Sequence, residues 1–140
     1  MSKTLEFFFD YISPTAYVAQ TIVPDVIKRT GAELKLRPMF LGGVMQATGN
    51  RPPGMVPAKG KYLGLDLARC CKRYGLPLHF NAHFPMMNTR ILCGATLRLQ
   101  DQPDQQARLF KAGWKHIWGT PNGIDCGDEA QFKQAFGSEG

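Results

Sequence analysis

Ser13-Pro14-Thr15-Ala16 stands directly behind the apolar run Leu5-Glu6-Phe7-Phe8-Phe9-Asp10-Tyr11, which puts a hydroxyl where a strand ends and a helix begins. Two readings apply. Serine is a good first residue for a helix because its oxygen accepts from the free N–H groups of the first turn, and proline fits next because it has no N–H to leave unpaired. The same corner also offers the hydroxyl to a ligand. Asp10 either braces this turn or is a solvated turn carboxylate. Asn50, between Gly49 and Arg51, suits a turn because asparagine tolerates left-handed backbone. Lys59 opens a helix, where the dipole disfavours a cation; an anion such as a substrate carboxylate explains it, and so does plain solvation. Tyr62, one turn later, lines the same pocket or packs. His79 and His83 have a spacing that suits a metal on a helix, but Pro77 and Pro85 bracket them and no third ligand is evident. No metal site is expected there.

The elements that must position these groups begin with residues 4–9. Their nearly continuous apolar character predicts a short strand covered on both faces. From Ser13 to about Thr30, Ala16, Ala19, Val23, Val26 and Ile27 recur at helical spacing, Gly31 is the stop, and Pro24 predicts a kink or restart after Gln20. Residues 33–39 alternate as a second strand, giving a parallel β-α-β unit with a right-handed crossover. Residues 40–57, rich in glycine and proline, read as a long loop. Helices are expected at about 58–74, 88–100, 103–117 and 128–136. The fold class is α/β: a partial β-α-β unit over residues 1–40, then a loop and an all-helical unit over 41–140. A two-stranded parallel sheet leaves the inner strand with an unpaired edge.

With 140 residues, 44% of them hydrophobic, the chain can close one ordinary core. Its net charge of +6 is scattered from Lys28 to Lys133, without the patch or groove-reading motif of a nucleic-acid binder; a small anionic ligand fits better. There is no apolar stretch of membrane-spanning length and no secretory leader, so a cytoplasmic protein without membrane partners is expected. Cys70 and Cys71 are adjacent and no C-x-x-C occurs among the four cysteines, which predicts reduced structural thiols. The Met86-Met87 pair reads as core filler.

Several ordered motifs carry a resemblance: Phe9-Asp10-Tyr11-Ile12-Ser13-Pro14-Thr15-Ala16-Tyr17, Arg37-Pro38 with Phe40-Leu41-Gly42-Gly43, Thr48-Gly49-Asn50 with Pro52-Pro53, and Pro57-Ala58-Lys59 with Tyr62, Asp66-Leu67 and Arg69. Tyr74-Gly75-Leu76-Pro77, Phe80-Asn81, His83-Phe84-Pro85 and Asn88-Thr89 follow. In this order the chain resembles the 2-hydroxychromene-2-carboxylate isomerases and the kappa-class glutathione transferases, thioredoxin-like proteins of DsbA type with a helical insertion. The later motifs are more similar to the isomerase branch.

The resemblance implies a glutathione site and a reaction at the glutathione sulfur. Ser13 would be the catalytic residue, its hydroxyl donating to the sulfur and holding it as thiolate at a helix N-terminus. Pro14 and Thr15 would present backbone to glutathione. Asn50 would reach the bound ligand, and Lys59 and Tyr62 would contact a small anionic aromatic substrate. Ser13 and Ala16 occupy the positions of the two redox cysteines of a dithiol protein, which disfavours disulfide exchange. The resemblance further implies a return to the thioredoxin core through a cis-proline loop, two strands and a closing helix, which the chain lacks, and it makes a homodimer plausible. The function implied is isomerisation of a 2-hydroxychromene-2-carboxylate-like intermediate of aromatic degradation; the alternatives are a kappa-class transferase and a non-catalytic remnant that binds glutathione or a partner.

Overall fold

The computed structural model describes residues 3–137; the outer ends of the two expected units, at residues 1 and 140, lie outside that range. Strand β1 (Thr4–Phe9) leads through the Ser13 corner into helix α1 (Pro14–Thr30), which returns to strand β2 (Glu33–Pro38). The strands pair in parallel with Thr4 opposite Glu33 and Phe9 opposite Pro38. Among the described residues they form a two-stranded sheet, as the sequence pattern predicts. Beyond it come α2 (Leu41–Thr48), a 3-10 turn at Pro53–Met55, α3 (Pro57–Tyr74), α4 (Arg90–Arg98), α5 (Pro103–Trp114) and α6 (Glu129–Phe136). A π-helical turn at Lys115–Gly119 extends α5.

Three sequence expectations change. Burial alternates along β1, and Phe8 is 60% exposed, so this strand is covered on one face: Phe7 and Phe9 turn inward and stack with ring centroids 5.4 Å apart. Pro24 lies inside one continuous α1 and does not divide it; one missing backbone donor is outweighed by the bonds on either side and by the packing of Val18 against Leu67 and Cys71 of α3. The expected loop 40–57 contains α2 and the 3-10 turn.

Helix α2 forms despite Gly42 and Gly43 because its start is held from outside. The Leu41 N–H donates to Asp10 Oδ2 at 2.8 Å. The Phe40 ring lies against the two glycines, close enough that a Cβ on Gly43 would sit 2.7 Å from Phe40 Cδ1. The Arg90 guanidinium covers this ring, 4.0 Å from its centroid. Tertiary contacts thus overrule a poor intrinsic propensity.

The core forms where β1 and the Ser13 corner meet the C-terminal helices. Phe9, Tyr11, Leu92, Trp114, Ile117, Trp118 and Cys126 are all but inaccessible. Trp114 packs on Tyr11 at 4.7 Å and on Phe9 at 5.8 Å between centroids. Tyr11 Oη pairs with Thr96 Oγ1 at 2.8 Å. Of the methionine pair, Met87 is buried but Met86 is exposed: the sharp turn before α4 points the two side chains apart, so Met86 is not core filler. Gly113 faces the Tyr11 ring, where an added Cβ would lie 2.7 Å from Tyr11 Cε1 and 3.0 Å from Leu92 Cδ2. Gly113→Ala is expected to destabilise by about 1–3 kcal/mol through overpacking, read as a lower urea midpoint at unchanged slope.

Candidate functional site

Ser13 caps α1 through its side chain: its Oγ accepts from the Ala16 N–H at 3.2 Å with the backbone extended at φ −89°, ψ 110°. Because Oγ acts as acceptor in that bond, its own O–H is left to donate. Thr15 Oγ1 lies 2.9 Å away. Ser13 and Thr15 line a cleft of about 340 Å³ along β1, with Phe7, Phe8, Met39 and Leu41 forming its other walls. The site therefore joins a hydroxyl and the positive end of a 17-residue helix to an apolar wall, an arrangement that favours a soft anion such as a thiolate. Pro14 is buried as the first residue of α1.

Asp10 is not a solvated carboxylate, being only 1% exposed. Its Oδ1 accepts from the Ile12 N–H at 3.1 Å and from Thr89 Oγ1 at 2.5 Å, and its Oδ2 accepts from the Leu41 N–H at 2.8 Å. Its backbone carbonyl accepts from the Ser13 N–H at 3.0 Å. The bracing role is thus the observed one. Sequence reasoning missed Thr89 as a partner. The available cue was a hydroxyl residue directly before a helix, but this hydroxyl makes no cap bond to α4 and reaches the carboxylate instead.

The other site candidates lie elsewhere. Lys59 and Tyr62 share a second depression of about 380 Å³ with Asp66 and Pro53, as their one-turn spacing predicts, but this depression has no lining residue in common with the Ser13 cleft. Asn50 is exposed and follows Gly49, which ends α2 at φ 69°; its Oδ1 accepts from the Arg51 N–H at 2.8 Å, a local turn bond. The structure therefore groups Ser13, Pro14 and Thr15, groups Lys59 with Tyr62, and leaves Asn50 in neither set. His79 and His83 lie in the segment between α3 and α4 and not on a helix. No cluster of three or more His, Cys, Asp or Glu side chains suited to a metal is found among the described residues.

The four cysteines are free thiols. Burial pushes Cys93 up to about 12, with the Asp10 charge adding to it, and burial followed by the Asp125 charge does the same for Cys126. Such thiols are protonated at neutral pH and inert as nucleophiles. Burial also raises Tyr17 to about 12, while its hydroxyl donates to the Pro77 carbonyl at 2.6 Å. For all three groups the folded state holds the proton more tightly than the unfolded state does. Their stabilisation is complete below the unfolded values of 9.0 and 10.0 and is lost as pH rises towards 12. Urea midpoints are therefore expected to be level up to about pH 8.5 and to fall above it, by up to about 1.4 kcal/mol per pH unit for each group. A level midpoint throughout the alkaline range contradicts this.

Residues 4–140 match the family described as the DSBA-like thioredoxin domain. The chain belongs to that family. Within this DSBA-like group it is 36% identical over 136 residues to a 2-hydroxychromene-2-carboxylate isomerase of Sphingobium xenophagum, covering 95% of this chain and 66% of that protein. It is 32% identical over 126 residues to glutathione S-transferase kappa 1 of Caenorhabditis elegans, covering 86% and 56%. The solved structure of a 2-hydroxychromene-2-carboxylate isomerase superposes with a TM-score of 0.76 at 25% identity, over 96% of this chain and 64% of that one. The DSBA-like chain thus spans just under two thirds of the isomerases' length in these matches and a little over half of the transferase's. The β-α-β unit followed by helices is the part of the DSBA-like fold it contains. Among the described residues, no helix is long and apolar enough to cross a membrane.

Proposed function

We propose that this chain provides the thiol-activating part of a glutathione-dependent isomerase acting on a 2-hydroxychromene-2-carboxylate-like intermediate. The observation that carries this reading is the Ser13 hydroxyl at the N-terminus of α1, which accepts from the Ala16 N–H, exchanges a second bond with the Thr15 hydroxyl and opens onto an apolar cleft. Glutathione, when bound, supplies a sulfur nucleophile that adds reversibly to a conjugated carbon and is returned unchanged. The protein's own part is electrostatic. Ser13 donates a hydrogen bond to the sulfur, the α1 dipole favours its negative charge, and Phe7 and Phe8 offer the sulfur an apolar wall. Thr15 Oγ1, 2.9 Å from Ser13 Oγ, orients the serine hydroxyl when no sulfur is present. Pro14 fixes the backbone of the first turn. Lys59 and Tyr62, in their own depression apart from the Ser13 cleft, offer a cation and an exposed phenol to an anionic aromatic substrate, and Asn50 a carboxamide close to the end of α2.

A kappa-class transferase is the second reading, favoured by the 32% identity to such an enzyme. Calorimetric titration with glutathione and with its S-methyl analogue separates these ideas from a non-catalytic role. Binding of glutathione with proton release, and weaker binding of the S-methyl analogue, is the expected result; equal binding of both removes thiolate activation from the proposal. Turnover of the substrate at constant free thiol identifies an isomerase. Loss of one thiol per product identifies a transferase, and binding without turnover the non-catalytic remnant.

A further inference from the structure

The Asp10 carboxylate is served by three N–H and O–H donors from three separate places, Ile12 in its own turn, Leu41 at the start of α2 and Thr89 ahead of α4, with the weak S–H donor of Cys93 in α4 a longer fourth at 3.8 Å. A buried carboxylate is stable only while donors surround it, so each donor is held in place by the anion it serves. Two of the three are backbone N–H groups, which only a proline substitution would remove. Thr89 supplies the one neutral side-chain hydroxyl among them, and it is 2% exposed. On the other side of the same residue, the Asp10 carbonyl holds the Ser13 N–H. Ser13 and Leu41 line the same cleft. Asp10 thus ties together two walls of the cleft, and Thr89, through the shortest of these bonds, joins Asp10 to the start of α4, with Cys93 a weaker link to the same helix.

We propose that Thr89 is a positioning residue for Ser13, acting through the Asp10 carboxylate: its hydroxyl fixes the carboxylate, which in turn fixes the Ser13 corner and the first residue of α2. Thr89 touches neither ligand nor sulfur. The mechanical half of this statement stands by itself, while its effect on a bound thiol rests on the glutathione reading above.

The test compares Thr89→Val, which keeps the shape and removes the donor, with Thr89→Ser, which keeps the donor. Amide hydrogen exchange at Ser13 and Leu41 is expected to quicken together by roughly tenfold in Thr89→Val, the scale of one hydrogen bond to a charged group. Exchange at Leu76, whose N–H is bonded to the Cys71 carbonyl at the end of α3, is expected to stay unchanged, and Thr89→Ser to restore wild-type rates. The second readout is the pH titration of the bound glutathione thiol by its thiolate absorbance. In Thr89→Val the titration is expected to move up towards the free-thiol value near pH 8.5, and Thr89→Ser to reverse it. Thr89→Val alters no charge, so such a shift reports displacement of Ser13 and not a changed field.

Uniformly faster exchange, or no change at Ser13, overturns the proposal; so does loosened exchange with an unmoved thiol titration. If the wild-type protein binds no glutathione, the glutathione reading fails and the exchange pattern alone decides the latch. Should Thr89→Val not fold, Thr89→Cys, with its weak S–H donor, takes its place with the same expected directions.

Discussion

Trp118→Ala is expected to lower the unfolding free energy by about 3–5 kcal/mol, the range for removing a large buried aromatic side chain, with roughly 1 kcal/mol more from a lost hydrogen bond. Trp118 is fully buried, its Nε1–H donates to the Tyr11 carbonyl at 2.8 Å, and its ring meets Phe80 and Phe84 at 6.0 and 5.6 Å between centroids. Truncation leaves both a cavity and an unpaired buried carbonyl two residues before Ser13. Against a total stability on the order of 5–15 kcal/mol, the variant is expected to be largely unfolded or sharply destabilised. Trp114 provides the control: its Nε1 is buried without a hydrogen-bond partner among the described residues. Phenylalanine at 114 therefore forfeits volume only, whereas phenylalanine at 118 forfeits volume and the bond. Urea unfolding of the two phenylalanine variants is expected to place Trp118→Phe lower. The reverse order contradicts the assigned role of the Tyr11 carbonyl.

Ser13→Ala is expected to have the largest effect on chemistry and a smaller one on stability. Loss of the cap bond to the Ala16 N–H costs about 0.5–2 kcal/mol, visible as a modest drop in Tm. For a bound glutathione thiol, loss of the serine donor is expected to raise the pKa by about one unit or more, leaving up to tenfold less thiolate at neutral pH and a comparable drop in turnover. Ser13→Cys is a sharper variant: it keeps a weak donor and creates a thiol at the end of α1, where the dipole lowers its pKa. Stopped-flow alkylation of that cysteine measures the electrostatics of the corner without any ligand. A rate typical of an unactivated thiol contradicts thiolate stabilisation at this position.

The α1 boundaries were legible because Ser13, Pro14 and Gly31 signal a start and a stop through local chemistry. The strands were legible as strands, but not their exposure: Phe8 interrupts the alternation with an outward-facing aromatic, and composition alone cannot tell an exposed phenylalanine from a buried one. Helix α2 was illegible because its stabilising contacts come from Asp10, 31 residues before Leu41, and from Arg90 on the far side of the next helix. The Ser13 corner was visible in the sequence, whereas the Asp10–Thr89 bond spans 79 residues and belongs to no local pattern. The separation of Lys59 and Tyr62 from the Ser13 cleft depends on how α3 packs against α1, which residue spacing does not encode.

The bond from Trp118 to the Tyr11 carbonyl spans 107 residues, and the Phe9 and Tyr11 rings lie against Trp114. On a ribosome adding roughly 5–20 residues per second, Phe7, Phe9 and Tyr11 are made about 5–20 s before the tryptophans that cover them. During that interval the most aromatic segment of the chain is a naked strand with an open edge, the form most prone to pair with another nascent chain. The order of synthesis thus leaves Phe9 and Tyr11 without their covering rings until α5 and the turn after it have been made.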